Sequence, residues 1–225
     1  MHRQLLTHID VLATMDNGGD NGGDKGCGRE LTDAAVLIDG NVITKVGPTS
    51  ALEQEAASCD EVHNLAGHIV LPGLVNTHHH LFQNLTRVVP DAQNHSLFGW
   101  LQTLYPIWSH LRPEDIYVAA ATGLAELALS GCTTSSDHQY LFPHGSRLDD
   151  SIEAAHDVGI RFTATRGSMS IGESKGGLPP DQLTEAENSI LEDCLQLIDA
   201  YQDASAQAMT QIALAPCSPF SVSTG

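Results

Sequence analysis

Basic side chains are scarce in this sequence. Ten Lys and Arg stand against 28 Asp and Glu, which gives a formal charge of -18. A surface of that sign repels phosphate backbones and anionic lipid headgroups, so nucleic-acid binding and docking on an acidic membrane are excluded. Long apolar runs are also missing. The most apolar stretch, Tyr117 to Leu129, carries Glu126 and is too short to span a bilayer. Met1-His2-Arg3-Gln4 opens onto no apolar signal core. The five cysteines (Cys27, Cys59, Cys132, Cys194 and Cys217) include no CxxC pair, which excludes a zinc ribbon or a disulfide framework and fits a reducing compartment. The expected protein is soluble and cytoplasmic. No GxGxxG or P-loop fingerprint is present, which weakens a nucleotide-binding reading. Aromatic residues are few, so Ala, Leu, Val and Ile must do most of the packing.

The composition is that of a globular protein, and 225 residues allow one large domain or two small ones. The first part reads as short strands: Leu5 to Thr14, then Ala34 to Ile38 and Val42 to Val46 joined by the turn signal Asp39-Gly40-Asn41, then Glu61 to Leu65. Asn17 to Gly28 reads as a flexible surface loop. From about His68 the rhythm changes. Ile69 to Val75 is a continuous apolar run, as expected of a strand buried on both faces.

Helices and strands then alternate. A helix over Pro113 to Ser130 starts with proline and two acids and stops at Gly131. Cys132 to Asp137 is a strand, Ser146 to Val158 a helix ended by Gly159, and Ile160 to Arg166 a strand. Thr184 and Glu187 form a capping-box pattern before a helix whose apolar face holds Ile190, Leu191, Cys194, Leu195, Ile198 and Tyr201. Ile212 to Ala215 is a further strand, and Ser221 to Gly225 looks like the start of another helix. Such alternation implies a parallel sheet, either half a barrel or an open doubly wound sheet.

The chemistry gathers at Leu71-Pro72-Gly73-Leu74-Val75-Asn76-Thr77-His78-His79-His80-Leu81-Phe82-Gln83. Side chains alternate along a strand, so His78 and His80 share one side and His79 takes the other. Two neutral imidazoles spaced that way can converge on one zinc, iron or manganese ion. The carboxyl end of a buried parallel strand is where barrel active sites lie. An isolated His-x-His is also common as a solvated or hydrogen-bonded pair.

This segment resembles the first-strand signature of the amidohydrolase superfamily, whose members hold a metal in a (β/α)8 barrel beside a small β-sandwich. Ile38-Asp39-Gly40 and Val46-Gly47 resemble the sandwich half. Asn76 to Arg87, Leu97 to Leu101, Gly123 to His138, Ala164 to Ser170 and Ala215 to Phe220 are similar to the aminohydrolases of purines, pterins and s-triazines. The resemblance implies an α/β fold. Residues 1–67 would be the N-terminal part of the sandwich. Residues 68–225 would be the first half of the barrel, about four strand-helix units.

It further implies that His78 and His80 bind one divalent cation, zinc or alternatively iron, and that Gln83 hydrogen-bonds a small heterocyclic substrate. The family's two-metal members carry a bridging lysine on the fourth strand. Gln211 to Cys217 has none, which favours a single metal. Cys217 either faces the pocket or is a small buried hydrophobe. Arg166 either contacts a substrate carbonyl or pairs with an acid. Trp100, Tyr105 and Trp108 form either a pocket lid or core packing. Asp137 and His138 either support a ligand imidazole or form a satisfied strand-end pair.

The implied reaction is hydrolytic deamination of an aminated purine-like ring such as 8-oxoguanine by metal-activated water. The family's remaining ligands and its Glu acid/base come from later strands, so the catalytic residues are expected beyond Gly225. Two alternatives stand beside this reading. One is a non-catalytic half barrel that pairs with another copy or another polypeptide, and a homo-oligomer is expected in either case. The other is a related hydrolase of s-triazines or cyclic amides.

Overall fold

The computed structural model describes residues 2–15 and 28–223, so the expected loop from Asn17 lies outside the described residues except for Gly28. The chain divides into two compact units, Met1–Pro72 and Gly73–Gly225. The division falls after Pro72 instead of after Gly67, because the short strand at Ile69–Val70 pairs within the first unit.

The first unit contains β1 (Arg3–Ala13), β2 (Glu30–Asp39), β3 (Val42–Pro48), α1 (Thr49–Leu52), β4 (Glu61–Asn64) and β5 (Ile69–Val70). Its sheet has the order β3-β2-β1-β4, with β5 also on β1. The expected hairpin joins β2 to β3, and Gly40 takes the left-handed turn conformation there, at φ 62°. Alternate residues of β2 enter two different cores. Ala35 and Leu37 pack with Leu5 and Leu52, while Ala34 and Val36 pack with Ile9 and Leu12. Both faces of β1 and β2 thus carry apolar clusters, while β4 is exposed along its length. Among the described residues the expected sandwich portion is a single sheet.

The second unit contains β6 (Leu74–Asn76), α2 (Leu97–Trp108), α3 (Pro113–Leu129), β7 (Cys132–Gln139), α4 (Leu148–Val158), β8 (Arg161–Ser168), α5 (Glu187–Tyr201) and β9 (Thr210–Pro216). The four strands are parallel and lie in chain order, β6-β7-β8-β9. A doubly wound sheet reverses its order at a switch point; a barrel wall advances as this sheet does.

Local chemistry sets the helix ends. Asp115 accepts the Arg112 N–H at 3.0 Å to start α3, and Asp150 accepts the Arg147 N–H at 2.8 Å to start α4. Gly159 then closes α4 in the left-handed region at φ 79°. One core lies between the sheet and its helices, where Phe162 and Ala164 of β8 meet Ala120 and Leu124 of α3 and Ile152 and Ala155 of α4. Each large side chain buried there contributes roughly 1.5–3 kcal/mol. A second core gathers Leu104, Tyr105 and Trp108 of α2 with Tyr140, Leu141 and Met169. No described helix is long and apolar enough to cross a membrane.

Several expectations need correction. The run Ile69 to Val75 is not one strand buried on both faces. Pro72 has no N–H to give a ladder and Gly73 sits tight against Thr133, so the run breaks into β5 and β6 in separate sheets. Ile69 and Val75 are 70% and 63% exposed. Thr184 caps no helix: its hydroxyl donates to the Asp181 carbonyl, and Glu187 accepts instead from Ser170. On α5, Cys194 and Leu197 are buried while Leu191 and Leu195 are exposed. The helix is turned because Asp193 faces inward to pair with Arg166. The expected helix start is instead a turn over Ser218–Ser221, closed by the Ser221 N–H on the Ser218 carbonyl, and the last two residues lie outside the described part.

Replacing Gly159 with alanine is expected to cost about 1–2 kcal/mol, because a Cβ is strained in the left-handed region. Urea denaturation checks this: the midpoint should fall at constant slope, and an unchanged midpoint would contradict it.

Candidate metal centre and ligand cavity

A cavity of about 620 Å³ opens at the carboxyl ends of the four parallel strands. Its floor is built from one parity of the sheet, with Ser136 and His138 of β7, Thr165 of β8 and Ala215 of β9. The other parity of β7 and β8, including Ser135, Asp137, Phe162 and Ala164, is buried. His78 and His80 follow β6, and Gln83 lies in the 3₁₀ turn Leu81–Thr86. Trp100 and Tyr105 of α2, Tyr140, Cys217 and Phe220 form much of the remaining wall. His79 does not line this cavity, as the alternation predicts.

His78 and His80 point at each other's outer nitrogens. Their Nε2 atoms are 3.2 Å apart and their rings stand edge to face at 89°. The Nδ1 of His80 donates to the carbonyl of His138 at 2.7 Å. That bond puts the proton on Nδ1 and leaves the Nε2 lone pair free. Burial pushes the His80 pKa down to about 4, so the ring is neutral at ordinary pH. Two nitrogens bound to one tetrahedral zinc at ~2.0–2.1 Å lie about 3.3–3.4 Å apart, so the observed spacing fits two ligand positions. His138 also lines the cavity, but its Nε2 donates to the Ala215 carbonyl at 2.9 Å. Among the described residues no third His, Cys, Asp or Glu joins the pair to make a metal-holding group.

The segment bearing the imidazoles is tied to the end of β7. The carbonyl of His79 accepts the His138 N–H at 2.8 Å, and Oδ1 of Asp137 accepts the Leu81 N–H at 2.7 Å. Asp137 is 1% exposed and its Oδ2 has no hydrogen-bond partner. Burial raises its carboxyl pKa to about 7.

The predicted ligand contacts separate into two groups. Gln83, Trp100 and Cys217 line the cavity with the two histidines. The Gln83 side-chain amide donates to the Tyr140 hydroxyl at 3.4 Å, and burial raises the Cys217 thiol pKa. Tyr105 also lines the wall, whereas Trp108 is fully buried and donates its ring N–H to Thr86 at 3.0 Å.

Arg166 does not line the cavity, which corrects the substrate-contact reading, and of its two expected roles the pairing with an acid is the one seen. It shares the helix-facing parity of Phe162 and Ala164. Its guanidinium forks onto Glu185 at 3.0 and 2.7 Å and reaches Asp193 at 2.7 Å. It also lies over the Phe142 ring at 3.9 Å. The alternation along β8 is the signal that separates Arg166 from Thr165. Tyr140 and Ser136 were absent from the sequence-based candidates. Ser136 shares the parity of His138, and Tyr140 lies one residue past the end of β7, where no pattern marks it.

The description of the amidohydrolase family fits residues 69–224. Among curated proteins, 8-oxoguanine deaminase of Pseudomonas aeruginosa is 47% identical over 197 residues, which cover 87% of this chain and 43% of that protein. Hydroxydechloroatrazine ethylaminohydrolase of Pseudomonas sp. strain ADP is 35% identical over 71% of this chain and 34% of its own length. Among solved structures, an atrazine chlorohydrolase from Arthrobacter aurescens TC1 complexed with zinc superposes with a TM-score of 0.84 at 33% identity, over 97% of this chain and 47% of that one. The chain spans less than half the length of each of these relatives.

Replacing Arg166 with methionine leaves Glu185 without this cation and Asp193 with only its longer contact to Arg147, at 3.5 Å. Roughly 1–3 kcal/mol of stability should be lost, while binding of a flat aromatic probe in the cavity, read by Trp100 fluorescence in the variant that remains folded, should stay at the wild-type level. A loss of binding with stability intact would return Arg166 to the cavity.

Proposed function

The chain belongs to the amidohydrolase family, and on that footing we propose that it carries the first part of a metal-dependent site that removes ammonia hydrolytically from a purine-like ring such as 8-oxoguanine. The observation that carries this reading is the 3.2 Å between the Nε2 atoms of His78 and His80, at the carboxyl end of a parallel strand. Relatives named as deaminases support carbon-nitrogen hydrolysis, and the zinc complexed by the atrazine chlorohydrolase supports zinc as the cation.

When bound, such a cation supplies Lewis acidity and makes water acidic enough to act as a nucleophile near neutral pH. His78 and His80 hold it through Nε2, with His80 kept in the required tautomer by the His138 carbonyl. β9 carries no lysine, which suits one metal. Gln83 offers an amide donor and acceptor to a ring with adjacent N–H and C=O groups. Trp100, Tyr105 and Phe220 supply apolar walls that orient a flat ring and keep bulk water away.

Among the described residues, no Asp or Glu lines the cavity. Proton transfer to the leaving ammonia therefore falls to a carboxylate outside the described residues, and two imidazoles need further donors to complete a zinc site. A further polypeptide segment or a second copy of the chain supplies these in the reading proposed here. The acidic, CxxC-free sequence fits a cytoplasmic setting.

Equilibrium dialysis and an ammonia-release assay test the reading together. The 225-residue chain is expected to bind one zinc and to release ammonia from 8-oxoguanine at no more than background rate. Supplied with the groups that complete the site, it should turn over. His78→Ala should abolish turnover and weaken zinc binding about ten-fold or more, as expected for loss of one of two imidazole ligands. Full zinc retention and full turnover in that variant would sink the ligand assignment.

A further inference from the structure

Residues 77–80 lie between β6 and the 3₁₀ turn and belong to no ladder. Alternation along a strand cannot fix their side chains, because the strand ends at Asn76. Among the described residues, three hydrogen bonds tie this segment and Leu81 to the end of β7. Two involve the backbone of His138, which accepts from the His80 ring at 2.7 Å and donates to the His79 carbonyl at 2.8 Å. The third is the only one made by a side chain of β7, from the Leu81 N–H to Oδ1 of Asp137 at 2.7 Å.

We propose that Asp137 is a positioning residue of the metal centre: by gripping the Leu81 amide it holds the turn after the histidines so that the Nε2 atoms of His78 and His80 face one point. Asp137 does not line the cavity; it acts through Leu81, the next residue after His80. Leu81 is fully buried in the core between sheet and helices, so the grip joins the imidazoles to the rigid part of the unit. The carboxyl is an expensive group for that place. It is buried with one oxygen unpartnered, so its desolvation is not offset by a second hydrogen bond. A residue serving packing alone would be apolar. The bond needs only an acceptor, so asparagine can replace aspartate in it.

This assignment rests on the proposed metal site for its consequence, but not for its geometry. The test compares the wild-type chain with Asp137→Asn and Asp137→Ala by two readouts. One is Co(II) affinity from the visible absorption band. The other, in metal-free protein, is the His80 tautomer from nitrogen-proton NMR correlations. Asp137→Asn should keep the wild-type affinity, band and single tautomer. Asp137→Ala should weaken cobalt binding about ten-fold or more and mix the tautomers. If the alanine variant does not fold, Asp137→Ser, whose hydroxyl is too short to reach Leu81, takes its place with the same expectation.

The proposal is overturned if the shortened variant keeps the wild-type affinity and tautomer. It is equally overturned if asparagine falls as far as alanine, since charge would then matter and not the bond. Should the wild-type chain take up no cobalt, the metal reading fails, and the tautomer comparison alone still decides the role of Asp137.

Discussion

The hydrogen bond from Nδ1 of His80 to the carbonyl of His138 carries the rest of the site. It does two things at once. It chooses the tautomer that leaves Nε2 free, and it joins an irregular segment to the end of a packed strand. Without it the two imidazoles would belong to four residues outside any ladder. With it they inherit the rigidity of β7, whose position is set on its other side. There the hydroxyl of Ser151 in α4 donates to Gln139 at 2.8 Å, and Asp137 lies buried beneath the turn.

The same strand thus separates two kinds of chemistry by parity. One side is committed to packing, where residues of β7 and β8 meet the helices and Arg166 binds Glu185 and Asp193. The other side is short and polar, with Ser136, His138 and Thr165 facing the cavity. A guanidinium on the packing side ties the end of β8 to α5 and does not line the cavity. A hydroxyl one residue away does face the ligand space. Aromatic side chains are rare in the chain, yet Trp100, Tyr105, Tyr140 and Phe220 all reach the cavity wall, which suits a flat heterocycle.

Much of this was legible in the residues. Gly159 and Pro113 mark helix ends because their backbone restrictions are local, and the Asp39-Gly40 turn is local for the same reason. The convergence of His78 and His80 was also readable, but its cause was not. Strand alternation predicts it, whereas the strand stops at Asn76 and contacts from β7 produce it. The misreadings share a tertiary origin. Pro72 and Gly73 divide an apolar run between two sheets, a choice its composition does not reveal. Asp193 turns α5 toward Arg166, which overrides the apolar periodicity. Tyr140 enters the cavity from just past a strand end, where neither period applies.

The most direct test of the whole account is where zinc goes. Crystals of the chain soaked in zinc, measured on both sides of the zinc absorption edge, should show an anomalous peak bound by the Nε2 atoms of both His78 and His80, at ~2.0–2.1 Å from each. A cation held elsewhere, for instance by His2 and His63 in the other unit, with those two nitrogens left bare, would contradict it.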